Sequence, residues 1–115
     1  MLFDTSIVID MLRKKKDYQY GSISTITLLE VIRGTPDTRM AEVLVLLKQM
    51  FQVYDIDDNV VLVYSRLYGA LKQMRKIVAD ADLMIISTAH SKNEKLLTKD
   101  HGFEVLSNIV DMKIE

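Results

Sequence analysis

The chain has 115 residues, with 15 Lys and Arg against 16 Asp and Glu and a formal net charge of -1. Hydrophobic residues make up 49% and charged residues 27%, enough apolar surface to offset chain entropy; intrinsic disorder is excluded, and one domain spanning residues 1–115 is expected. The absence of cysteine removes disulfide frameworks, Cys-based zinc sites and thiol nucleophiles, and near-neutrality excludes a general basic coat for nucleic acid, though not a local basic track.

The chain opens Met1-Leu2-Phe3-Asp4, with no basic leader region and no small-residue cleavage site. No run approaches the roughly 18 apolar residues of a membrane span, so a cytoplasmic protein without a membrane partner is expected. Met1 to Phe3 reads as a short buried strand ending at Asp4. Ser6 is the expected cap of a helix over Ile7 to Arg13, closed by Lys14, Lys15 and Lys16. Gly21 to Ser24 reads as a second strand, leading into a helix from about Thr27 to Arg33 that Gly34, Thr35 and Pro36 stop. Met40 to Met50 carries Val43, Leu44, Leu47 and Met50 at helical spacing.

Gln52 to Asp55 is the expected third strand. Asp57, Asp58 and Asn59 supply capping chemistry for a long helix to about Lys76. A further helix is expected over Asp80 to Ser91, a fourth strand over Lys95 to Thr98 and a fifth over Met112 to Ile114. Short apolar strands alternating with longer helices predict an α/β fold, a central parallel sheet of four or five strands flanked by helices. Right-handed crossovers then bring every strand C-terminus to one edge, where such sheets bind ligands.

Four acids are expected near that edge. Asp4 follows the first strand, and Asp100 comes two residues after Leu96-Leu97-Thr98. Glu30 falls at the margin of its helix's apolar stripe, and reads either as a site acid or as a surface partner of Arg33. Asp82 shares a helix face with Ile85, Ile86 and Ala89. An ionised carboxylate there is costly without a cation, a donor or a wet cleft, although a plain first-turn acid is the alternative. Asp80 lies on the opposite side with Ser87 and Ser91. If the four converge, their repulsion demands a counter-charge, and Mg²⁺ or Mn²⁺ suits an all-oxygen set.

The segments Leu2 to Asp10, Ile23 to Gly34, Asp80 to Ala89 and Leu96 to Asp100 resemble, in order and spacing, the PIN-domain family, and within it the VapC-type toxins of toxin–antitoxin modules. The resemblance implies a PIN-like three-layer domain and a metal-dependent endoribonuclease with Asp4, Glu30, Asp82 and Asp100 as its catalytic acids. Asp4 and Asp82 would be the principal metal residues, supported by Glu30 and Asp100, with Ser6 (or Thr5) and Thr98 arranging the site. It also implies an RNA substrate, a small antitoxin partner and a homodimer. One departure is Gly102, where family members often carry a second acid after the fourth.

Competing readings are an Asp-nucleophile phosphotransferase, which usually has a second Asp where Ser6 stands, a receiver-type signalling domain, which lacks its early acidic pair here, and a catalytically silent PIN-like binding protein. His90 and His101 make no defensible triad. No GxGxxG or GxxxxGK[ST] motif occurs. Three basic groups are candidate RNA contacts or plain helix-end charges: Arg13 to Lys16; Lys72, Arg75 and Lys76; and Lys92, Lys95 and Lys99.

Overall fold

The computed structural model describes residues 1–14, 19–108 and 111–114. Five strands, β1 (Leu2–Phe3), β2 (Gly21–Ser24), β3 (Phe51–Tyr54), β4 (Leu96–Thr98) and β5 (Met112–Ile114), form one sheet in the order β3-β2-β1-β4-β5. Every pairing is parallel. The helices are α1 (Thr5–Lys14), α2 (Thr25–Arg33), α3 (Met40–Met50), α4 (Asp58–Gln73) and α5 (Asp80–Ser91), with 3₁₀ turns at Asp37–Arg39 and His101–Leu106.

Alternation along the strands divides the core. Leu2 and Leu96 face a cluster with Leu67 and Leu71 of α4 and Leu83, Ile85, Ile86 and Ala89 of α5. Their neighbours Phe3 and Leu97 face the other way, against Ile7, Val8 and Met11 of α1, Leu28 and Val31 of α2, and Val43 and Leu47 of α3. The result is the three-layer α/β arrangement expected. Chain order runs outward from β1 to β3 and then returns to place β4 on the other side of β1. The C-terminal ends of β1 and β4 therefore flank the point where the winding reverses, the usual crevice of an open parallel sheet.

Gly21 lets β1 and β2 lie close. A Cβ there would stand 2.7 Å from Phe3 Cζ and 3.0 Å from the Met1 carbonyl oxygen. The Phe3 ring has little freedom to give way, being buried and held edge-on to Phe51 at 5.8 Å.

Several boundaries differ from the sequence reading for local reasons. Helix α1 starts at Thr5, not beyond a Ser6 cap, because the Asp4 carbonyl already accepts from the N–H groups of Ile7 (3.0 Å) and Val8 (3.2 Å). Lys15 and Lys16 lie outside the described residues. Helix α2 starts at Thr25, since Ser24 accepts from Ile26 N–H at 3.1 Å and takes the cap. Strand β3 begins and ends one residue earlier than expected, and β4 begins one later.

Helix α4 is capped by Asp57, as its chemistry suggests, but stops at Gln73 rather than near Lys76. Arg75 has φ 54°, and the N–H groups of Arg75 and Lys76 return to the carbonyls of Lys72 and Leu71. This is the double closure usually made with glycine. Asn93 makes the same closure after α5, also at φ 54°. Asparagine tolerates that backbone; arginine there costs roughly 1 kcal/mol.

Candidate active site

Asp4 leaves the end of β1 with its side chain buried and its oxygens held on three sides. Oδ1 accepts from Thr5 N–H at 2.8 Å. Oδ2 accepts from Thr98 Oγ1 at 2.7 Å and from Ser6 Oγ at 3.1 Å. The two small polar residues singled out from the sequence, Ser6 and Thr98, thus both orient the same carboxylate. Burial nonetheless raises its pKa above the ordinary value, and the charge of Glu30 adds to the rise.

Thr98 Oγ1 also accepts from Asp100 N–H at 3.0 Å, tying the fourth acid's backbone to the first acid's carboxylate. Asp100 itself is exposed and closes its 3₁₀ turn by accepting from Gly102 N–H at 2.8 Å. A Cβ at Gly102 would meet Asp100 Oδ1 at 3.0 Å, so the missing acid at this position leaves room for the turn.

Glu30 makes the Arg33 contact read from the sequence and a second contact to Thr5, the residue after Asp4. Its Oε2 lies 3.5 Å from Arg33 Nη2, and its Oε1 accepts from Thr5 Oγ1 at 2.7 Å. Thr5 has one hydroxyl proton, which goes to Glu30, so the fully buried Thr27 must be the donor in the 3.0 Å contact between the two threonines. Thr27 is the residue that sequence reasoning missed. Only its place three residues before Glu30, on the inward side of α2, hinted at it.

Asp82 sits half-buried in the first turn of α5. Burial, then the charges of Asp4, Asp100 and Glu30, push its pKa up to about 6. No ion pair or side-chain hydrogen bond to Asp82 is present among the described residues. The charges of Asp4, Asp100 and Glu30 are thus all felt at Asp82. Asp80 stands apart and accepts from Tyr64 OH at 2.8 Å. Among the described residues, no three His, Asp or Glu side chains are grouped as a ready cage for an ion. The donor chemistry of the candidate acids, four carboxylates and no nitrogen or sulfur, suits a hard divalent cation.

Of the basic candidates, Lys99 is paired with Asp10, which also meets Lys14 at 3.7 Å, and Lys92 is paired with Asp57. Lys92 and Lys99 are thus engaged with acids rather than free for a substrate. His101 is exposed beside Glu104 at 3.0 Å, and His90 is exposed. No described helix is long and apolar enough to cross a membrane.

The PIN domain model matches residues 1–109. The chain belongs to the PIN-domain family. Among its PIN-domain relatives, Ribonuclease VapC1 of Methanocaldococcus jannaschii is 37% identical over 102 residues, covering 87% of this chain and 75% of the relative. The fold is shared with VapBC2 from Rickettsia felis, in a structure bound to a promoter DNA fragment (TM-score 0.85, 21% identity, 99% of this chain and 97% of that one). It is also shared with VapBC-1 from nontypeable Haemophilus influenzae (TM-score 0.82, 21% identity, 98% and 96%).

Proposed function

We propose that this PIN domain, residues 1–115 acting as one unit, is a cytoplasmic Mg²⁺- or Mn²⁺-dependent endoribonuclease, the toxin of a toxin–antitoxin pair. The observation that carries the chemistry is Asp4, a buried carboxylate at the reversal point of the sheet held by Thr5, Ser6 and Thr98, whose charge with those of Asp100 and Glu30 raises the pKa of Asp82. The 37% identical relative, a ribonuclease, supports RNA as the substrate.

In this reading Asp4 and Asp82 hold the metal, with Glu30 and Asp100 completing the site and orienting water. A bound divalent cation would supply the charge that activates water and shields phosphate oxygens. The hydroxyls of Thr98, Thr5 and Ser6 and the N–H of Thr5 all donate to Asp4 or Glu30, which fixes the orientation of those carboxylates. Asp82, which has no such donors, is the acid most dependent on the cation.

A small antitoxin protein and a homodimer complete the proposal. The partner is supported by the toxin–antitoxin complexes that share the fold. Self-association is supported by the exposed Val45 and Leu46 of α3 and Val61 and Leu62 of α4. Purified protein should cut unstructured RNA with Mg²⁺ or Mn²⁺ and stop when chelator is added; equal cleavage in both would overturn the metal mechanism. Light scattering should give twice the monomer mass.

A further inference from the structure

A groove of about 420 Å³ opens where α4 ends and α5 begins. Leu71, Ile77, Val78 and Leu83 are its apolar lining, Tyr68 stands at one side, and Lys72, Arg75 and Lys76 also line it. Leu83 directly follows Asp82 in the first turn of α5, so the groove opens at the helix end that carries this acid. We propose that this groove is a subsite for one unpaired nucleotide of an RNA strand flanking the scissile phosphate, the base against Tyr68 and the backbone phosphate on Arg75 and its neighbouring lysines. The proposal rests on the ribonuclease reading and adds where the strand is gripped.

Three features favour this occupant. First, the rings of Tyr64 and Tyr68 are already stacked, with centroids 6.2 Å apart and planes 26° from parallel. Tyr64 is anchored through its hydroxyl to Asp80, whereas Tyr68 is 52% exposed, so a base on Tyr68 extends a stack that is already half built. Base–aromatic stacking tolerates any base because every base has a π-face.

Second, no acid pairs with Lys72, Arg75 or Lys76 among the described residues, whereas Lys92 and Lys99 are both engaged. An acidic centre repels the strand that it must cleave. Three free cations at the end of α4, facing the start of α5, supply the attraction needed to hold that strand. Third, Arg75 occupies the left-handed closing position of α4. A glycine would close the helix there at lower cost, so the side chain is retained at a penalty to the fold. Helix-end charge alone does not require that residue to be arginine, because Lys72 already stands in the last turn.

The test uses the full chain and a labelled, unstructured oligoribonucleotide of about a dozen mixed nucleotides. Binding is followed by anisotropy in chelator across a salt series, with cleavage in Mn²⁺ measured alongside. Arg75→Gly should melt no lower than wild type, yet bind RNA several-fold more weakly with a salt slope smaller by about 0.7. Tyr68→Ala should weaken binding about 5- to 150-fold, while Tyr68→Phe retains it. Unchanged affinity in Arg75→Gly and Tyr68→Ala, with wild type cleaving RNA, overturns the subsite and leaves the ribonuclease reading standing. Loss of dimer or of inhibitor binding with RNA affinity unchanged would make the groove a protein-docking surface and likewise overturn it. Wild type that neither binds nor cleaves RNA overturns both readings.

Discussion

Thr98 donates its hydroxyl proton to Asp4 Oδ2 at 2.7 Å across 94 residues of chain. Strand pairing makes the contact, since Phe3 stands opposite Leu97 and the next residue of each strand is Asp4 or Thr98. Thr98→Val keeps the shape but removes both this donor and the acceptor for Asp100 N–H. Stability should fall by about 1–3 kcal/mol in urea denaturation, with cleavage reduced as well. A variant indistinguishable from wild type in both would show that the link is incidental.

Among the acids, Asp4→Asn and Asp82→Asn should each lower RNA cleavage more than about 100-fold while the protein remains folded. Asp82→Asn should also melt no lower than wild type in chelator, because it removes a charge that burial and three neighbours disfavour. Asp80→Asn preserves an acceptor for Tyr64 and should be mild. The reverse ranking of Asp80 and Asp82 in a cleavage assay would overturn the site assignment.

The raised Asp82 carries a signed pH dependence. Its folded-state pKa of about 6 exceeds the ordinary value of 3.8, so between these values the folded chain binds more protons than the unfolded one. Stability contributed by this group is therefore lost as pH rises through that window. Asp4 shifts in the same direction, whereas Asp57 and Glu94 are lowered and act below the ordinary carboxylate range. In chelator, the Tm should be higher at pH 5 than at pH 7. Mn²⁺ at pH 7 should raise it and flatten the dependence. A Tm that drops steadily from pH 7 to pH 5 in chelator would contradict the buried, repelled carboxylate.

Thr27→Val removes the donor behind Thr5 while preserving volume. Left without its partner, Thr5 can turn from Glu30, and calorimetry should record Mn²⁺ binding weakened by about 10-fold or more, as expected for an outer partner of a metal site. Thr27→Ser restores the hydroxyl and should recover most of the affinity. Equal binding by the two variants would leave Thr27 a packing residue.

Much of this architecture is legible in the sequence because its signals are periodic. Strand–helix alternation gives the sheet, and a carboxylate at the end of an apolar strand, as at Asp4, marks the candidate edge. Helix starts are less legible. Ser6 looks like a cap, but the Asp4 carbonyl already takes the N–H groups of Ile7 and Val8, and only the closed turn shows this. The Thr27–Thr5–Glu30 chain joins residues 22 and 25 positions apart and has no local signature. Arg75 is harder still to read, since nothing in an arginine announces a left-handed backbone.

Gly21 bears on how this site can be damaged. Its bare Cα accommodates the Phe3 ring, and the peptide after Phe3 carries Asp4. A methyl group added at position 21 would press on a ring that the opposing Phe51 keeps from retreating. That pressure has an outlet along β1, toward the carboxylate. A random screen for loss of cleavage should thus recover changes at Gly21 with every acid intact, and those proteins should regain activity when Phe3 is exchanged for a smaller apolar residue. The fault would be steric, inherited by the chemistry from a strand that contributes no acid of its own.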